Sequence, residues 1–432
     1  MTTAPSTNPF RVFSNREYSL YFGGQLISQV GTWMQQIALS WLTYKLTNSA
    51  VLLAVVGVSS QLPSLLIMPF AGVMGDRFNR HRIVVLTQVS AMIQAALLAY
   101  LTITHQVAVW HLIGLGIMMG VITAFDMPVR SAFVINMVKK KEDLPAAIAM
   151  NSSLMNVSRL LGPAVAGFVV AALGEGMCFL INALSYVAVI AALMFIHGDF
   201  EPKGKGSNRG VLSELKEGVA YAMKTTPIRA VILLMAIFGF GGMSYAMLMP
   251  VFVKQIGGNA NTLGYLSSAS AFGSVLGTAV LATRKSVIGM GRWIVASSFV
   301  YSIALFAFAF ATSFWLALPV LVILGAAMML QMGCCNTILQ SVVEEDKRGR
   351  VMSLFTMAFM GTVPLGTLVG ATIANHFGFQ CMILVCATYC LVVATVFASH
   401  MPRFRRESKS VYVERGLLEA QEELDVITKP AA

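Results

Sequence analysis

Two ionisable side chains stand inside long apolar runs where almost no others do. Arg159 lies midway along the stretch 146–172, with Ser152, Asn156 and Pro163 on the same helical face. Asp126 stands near the end of the stretch 108–130, four residues before Arg130. If these runs cross a bilayer, a central charge costs at least ~2.5–3.5 kcal/mol on insertion scales, so each needs a partner or water. Asp126 has two readings. It could carry a proton, or it could join Arg80 and Arg130 in a charge cluster that holds one end of a bundle shut. Arg159 could meet an anion in a wet cavity, or bond to helix carbonyls or to Asp126. An enzyme would need clustered histidines, acids or nucleophiles in the runs, and only these two are present. The six cysteines lie inside apolar runs without metal-ligand spacing, which marks them as buried thiols.

A third chemical feature is a stripe of amides and hydroxyls. At ~100° per residue, Gln25, Ser28, Gln29, Thr32, Gln36, Ser40 and Thr43 fall within an arc of about 120°. Leu26, Ile27, Val30, Met34, Ile37 and Trp41 fill the other side. An amide facing lipid loses its water hydrogen bonds, so the stripe faces protein or water. A cavity wall and interhelical bonding both satisfy that requirement.

The elements that position these residues follow from hydropathy. The chain has 432 residues, 57% hydrophobic and 11% charged, against about 25% charged in soluble domains. Twelve spans are expected, at 18–44, 50–74, 82–104, 108–130, 146–172, 176–197, 228–253, 261–283, 291–311, 314–340, 350–374 and 378–400. Lysine and arginine are absent from 83–129, 160–202 and 293–346, and they cluster in every second gap. Basic loops stay cytoplasmic, so both ends are expected in the cytoplasm. Lys45 and Lys254 alone fall in the opposite gaps, after spans one and seven. The net charge of +11 belongs to loops facing anionic lipid rather than to a nucleic-acid groove. The first residues are polar and lack the apolar core of a cleavable signal.

The polar stretch 198–227 divides the chain into a six-helix bundle at 1–197 and another at 228–402, with a cytoplasmic tail at 403–432. A short helical pattern surrounds Leu212, Leu215 and Val219, and Leu417 to Leu424 could form another in an otherwise loosely ordered tail. The halves echo each other. Leu161, Gly162 and Val165 match Leu365, Gly366 and Val369 at a constant offset of 204. Internal repeats of this kind build transporters.

Gly72-Val-Met-Gly-Asp76-Arg77-Phe-Asn-Arg80-His81-Arg82 closes span two. Gly72 permits close helix contact, and Asp76 can meet a positive helix N-terminus. The segment resembles the loop 2–3 signature of the major facilitator superfamily, with Asn79 in place of the usual glycine and His81 in place of a basic residue. Gly23-Gly-Gln-Leu-Ile-Ser-Gln-Val-Gly-Thr-Trp-Met-Gln-Gln36, Phe125-Asp-Met-Pro-Val-Arg130, Cys178-Phe-Leu-Ile-Asn-Ala183 and Arg348-Gly-Arg-Val-Met-Ser353 resemble its transmembrane secretion effector branch, which includes enterobactin exporters. The resemblance covers about residues 10–400. Leu161-Gly162-Pro163-Ala-Val-Ala-Gly167 is similar to the span-five antiporter motif of drug exporters, with Ala166 where that motif has a further glycine.

The resemblance implies an all-α membrane protein with twelve helices in two pseudo-symmetric bundles. It also implies export of a small organic molecule, siderophore-like or drug-like, by alternating access with proton coupling. Gln25, Gln29, Thr32, Gln36, Asn156 and Arg159 are the expected cavity residues. Gly72, Asp76, Arg77, Arg80, Asp126 and Arg130 are the expected gate. The methionines of the second half, among them Met243, Met247, Met328 and Met332, suit an adaptable apolar wall. No cofactor or metal is expected, and no ATP loop occurs. An importer or uniporter, a membrane-embedded enzyme and a lipid flippase are the rival readings. The oligomeric state is not written in the sequence.

Overall fold

A computed structural model describes residues 9–75, 78–138, 141–196, 211–284 and 286–414. The first half holds α1 (Arg16–Thr47), α2 (Ala50–Gly75), α3 (Arg80–Ile103), α4 (Val109–Met137), α5 (Leu144–Leu173) and α6 (Glu175–Met194). A connecting helix, α7 (Val211–Lys224), follows. The second half holds α8 (Thr226–Gly242), α9 (Ser244–Met247), α10 (Met249–Gln255), α11 (Ala260–Ala282), α12 (Met290–Ala309), α13 (Phe314–Val342), α14 (Glu345–Phe377) and α15 (Phe379–Ser399), and α16 (Met401–Glu414) closes the described chain.

By length and composition, eleven helical stretches among the described residues suffice to cross a membrane. α1 makes the twelfth span. Its 32 residues reach about 48 Å at 1.5 Å each, and only its polar stripe keeps its hydropathy low. That stripe turns inward: Gln25, Ser28, Gln29 and Thr43 are buried, whereas Leu20 and Ile27 are exposed.

Local chemistry sets the helix ends. The Asn15 side chain accepts from the backbone of Glu17 and Tyr18 at the start of α1. Its amide also donates to the Met137 carbonyl at 2.9 Å, fixing α1 to the end of α4. Asn79 caps α3 by accepting from the Arg82 N–H at 3.2 Å.

Span seven is broken rather than continuous. Three helices replace the expected 228–253, with breaks at Met243 and Leu248 and Pro250 in the first turn of α10. The Gly242 carbonyl freed by the first break accepts from the Tyr301 hydroxyl of α12 at 2.6 Å, which is how a broken helix survives in a membrane.

The tail also departs from expectation at its start. α16 lays Met401, Phe404, Ser408 and Tyr412 as a buried face, and Gly291 of α12 lies against Met401 and Phe404. Burial pushes the Tyr412 phenol up to about 12. On the outer side, the Arg403 guanidinium holds the Glu407 carboxyl below its ordinary range, donating at 2.8 Å. The segment 417–424 lies outside the described residues.

Helices α1 to α6 pack on one another, as do α8 to α15. The two sets meet chiefly along α5 with α11 and along α2 with α14. The repeat is visible in three dimensions. Gly174 (φ 86, ψ 168) and Gly378 (φ 88, ψ 159) join spans five to six and eleven to twelve in the same conformation. Positive φ favours glycine at both, and the positions differ by the same 204. Leu161, Val165, Leu365 and Val369 are all exposed apolar residues.

Candidate functional site

The two ends of the molecule differ. At the end carrying Lys45 and Lys254 the halves are in contact. Gly264 of α11 sits against the Pro163 carbonyl and Gly167 of α5, where any side chain would collide. Just inside, the Ser268 hydroxyl donates to the Leu160 carbonyl at 2.8 Å. Lys254 donates to Asn48 at 3.0 Å and lies 5.5 Å from the centre of the Tyr44 ring. Lys45 pairs with Glu175 at 2.8 Å. Lys45, Glu175, Lys254 and Tyr44, with Trp41, Val170 and Asn259, line a pocket of about 470 Å³.

Toward the basic end α5 is exposed on two sides. Val157, Leu161, Val165 and Phe168 form one apolar stripe. Ile148 and Ser152 are also exposed and Asn156 and Arg159 partly so, and at ~100° per residue they form a second stripe roughly opposite. The second stripe carries the polar groups of α5, and the first is wholly apolar. Ser153 is exposed as well, although Leu160, two turns on, is bonded to α11. Along this pair of helices the contact is therefore confined to the end from Leu160 onward.

Asp126 is fully engaged. Its Oδ1 accepts from the Thr87 hydroxyl at 2.9 Å and from the Gln88 amide at 2.8 Å. Its Oδ2 meets Arg130 Nε at 3.1 Å, with the two side chains only 13% and 17% exposed. Tyr21 and Tyr186 lie within the field of this pair, and the Tyr186 hydroxyl is 3.2 Å from the Thr32 hydroxyl of α1. The expected gate pair and the span-one stripe thus form one polar interior. Arg80 opens α3, two turns before the residues that hold Asp126.

The four expected cavity residues of α1 do not share one environment. Gln25 and Gln29 are buried, and the Gln29 amide is 2.7 Å from the Met155 sulfur of α5. Thr32 is half-buried and Gln36 is exposed. In this conformation the stripe serves packing over much of its length and meets open space near Gln36. Gln35, which the polar arc leaves out, ties three helices together. It donates to Gln94 of α3 at 2.9 Å and accepts from Asn182 of α6 at 2.8 Å. Gln94 in turn donates to the Leu115 carbonyl of α4 at 3.2 Å.

Arg159 stands 5.8 Å from the centre of the Trp33 ring. Among the described residues it has no hydrogen bond or ion pair, so neither Asp126 nor a helix carbonyl neutralises it. Across the midline lies Tyr245 of α9, the group that shares its electrostatic field. Asn156, one turn along α5, donates to the Ser152 carbonyl at 3.0 Å. Gly72 falls in the last turn of α2, and the expected gate residues Asp76 and Arg77 lie outside the described residues. Among the described residues no three His, Cys, Asp or Glu side chains gather as a metal site.

Comparison with solved structures shows the architecture. The chain superposes on a nucleoside transporter with a TM-score of 0.72, covering 89% of this chain and 98% of that one at 14% identity. A bacterial homologue of the human lysosomal transporter Spinster gives 0.69, covering 92% and 98%, also at 14% identity. This is the major facilitator fold. The model of the transmembrane secretion effector family matches residues 7–425, and the chain belongs to that family. The staphyloferrin A transporter of Staphylococcus aureus is 24% identical over 90% of this chain and 98% of its own length. Macrolide efflux protein A of Streptococcus pyogenes is 22% identical over 89% and 96%. The protein is a multi-pass membrane transporter and not an enzyme.

Proposed function

We propose that this protein exports a small organic molecule, siderophore-like or drug-like, across the bacterial cytoplasmic membrane by alternating access. What carries the reading is the contact of the halves at the Lys45 and Lys254 end, with the exposed polar face of α5 toward the other; we read the space beside that face as a cavity open at the opposite end. The basic loops put the open end in the cytoplasm and both termini with it, in contact with anionic lipid headgroups. The bundles 1–197 and 228–402 then rock about the cavity, joined by the linker 198–227 and followed by the tail 403–432.

Gln36, Thr32, Asn156 and Arg159 are the cavity residues in this state, and Gln25 and Gln29 join them as the halves shift. Gly72, Asp76, Arg77, Arg80, Asp126 and Arg130 form the cytoplasmic gate. If protons are the coupling ion, Asp126 is the acid placed to take one, once it parts from Arg130. Relatives named as a siderophore transporter and a macrolide efflux protein support the substrate class and direction.

The test is export from a strain lacking the gene. Cells carrying the wild-type protein should retain less of a transported compound than the deletion strain. The same compound should undergo counterflow in proteoliposomes. Accumulation rather than loss of that compound in cells making the protein would reverse the direction.

A further inference from the structure

We propose that the cavity takes an anionic substrate, and that the substrate's negative group is the counter-ion whose arrival at Arg159 allows the halves to close around it. The inference rests on the export reading and adds to it a charge requirement and a reason for tight coupling.

Arg159 is the sixteenth residue of the thirty in α5, so its Cα lies near the middle of the bundle. It is half-buried, and its guanidinium meets the face of Trp33. It has no acid, amide or carbonyl partner among the described residues. Every other described cation at membrane depth is matched: Arg130 has Asp126. A guanidinium presents five donors in a fixed fork suited to a carboxylate or similar planar anion, and the Trp33 face fixes its orientation. Beside it are Asn156 on the same helix and, across the midline, Tyr245. Trp33 offers apolar surface for the body of an organic anion.

The conformational consequence follows from solvation. With the cavity open to water, the bare cation is tolerable. Closing the open end removes that water and leaves an uncompensated buried charge, which is strongly unfavourable. An anion on Arg159 removes the penalty, so the loaded carrier closes more readily than the empty one. Binding lowers the barrier because it differs between the two states, which is the condition for a ligand to shift a conformational equilibrium.

The experiment uses the full chain purified in detergent and in proteoliposomes, with a naphthoate and the matching neutral naphthamide as probes. Binding is read by tryptophan fluorescence. Arg159→Gln should weaken naphthoate binding about tenfold to a hundredfold, and Arg159→Lys, which keeps the charge but loses the fork, should recover part of it. Naphthamide binding should be the same in all three proteins. A cysteine at Val170, placed in a cysteine-free background, reports opening of the closed end. Naphthoate should accelerate its labelling in the wild type, and Arg159→Gln should label fast without a probe. Equal binding of the two probes, binding of neither, an equal loss of both in Arg159→Gln, or labelling indifferent to naphthoate would overturn the proposal. Selective naphthoate binding without efflux in proteoliposomes would sink the export reading and leave the anion site standing.

Discussion

Replacing Asp126 with Asn is the sharpest test of the polar interior. The substitution preserves the volume and leaves one carbonyl oxygen to accept from Thr87 or Gln88, but it strips the counter-charge from Arg130. The pair is 3.1 Å apart and mostly buried. Breaking such a pair by neutralising one partner costs about 3–5 kcal/mol, because the other charge stays buried alone. That is roughly a hundredfold to several-thousandfold in the folded-to-unfolded ratio. Glu345→Gln is the control: its pair with Arg348 is 4.0 Å long and largely exposed, and an exposed pair contributes at most about 1 kcal/mol. The assay is the folded fraction after heating or SDS titration in dodecyl maltoside micelles, read by size exclusion. Asp126→Asn should fall well below the control. The double variant Asp126→Asn/Arg130→Gln, with no unpaired charge, should be more stable than Asp126→Asn alone. A single variant within about 0.5 kcal/mol of wild type, or a double variant as unstable as the two singles summed, would refute the reasoning.

Asp76→Asn should cut transport while membrane insertion stays normal; full transport by a well-expressed variant removes Asp76 from the gate. Cysteine at Gln36 should react with a water-soluble thiol reagent in a cysteine-free background, while cysteines at Gln25, buried against protein, and at Ile27, on the exposed apolar face, should react slowly. Equal rates at all three would undo the assignment of the stripe. Tyr301→Phe should destabilise the fold by about 1–3 kcal/mol, since the buried Gly242 carbonyl loses its donor; an unchanged melting curve would mean that the break in span seven is satisfied in some other way.

The spans were legible because the hydrocarbon core demands long apolar runs, and Arg159 and Asp126 were legible because a charge inside such a run is rare. Gln35 was not. One amide off the polar arc carries no local signal, and its partners Gln94 and Asn182 lie 59 and 147 residues away. Periodicity says which side of a helix is polar and is silent on which distant side chain will meet it. The break in span seven was partly legible, since the glycines near 240 and Pro250 are helix breakers. Total hydropathy hides a break, because it counts side chains and ignores backbone bonds. α16 shows the opposite bias: Met401, Phe404, Ser408 and Tyr412 recur at helical spacing, but the intervening arginines make the stretch read as a solvated tail.

The repeat separates what packing needs from what chemistry needs. At the offset of 204, the linking glycines Gly174 and Gly378 coincide, as do Gly162 and Gly366, which lie against Trp33 of α1 and Phe240 of α8. The polar groups do not repeat. Asp126 falls on Leu330, Arg130 on Cys334, Arg159 on Val363, Asn182 on Cys386 and Gln29 on Leu233. Close helix contact is required in both halves, so the glycines persist in both. A buried charge is costly wherever it sits, so it remains only where something engages it. In the first half Asp126 engages Arg130, and nothing within the described protein engages Arg159. With its counterparts apolar, the second half offers no rival site for the same group. The charge that awaits an anion thus belongs to the first half, and the second half faces it with the Tyr245 phenol rather than with a charge of its own.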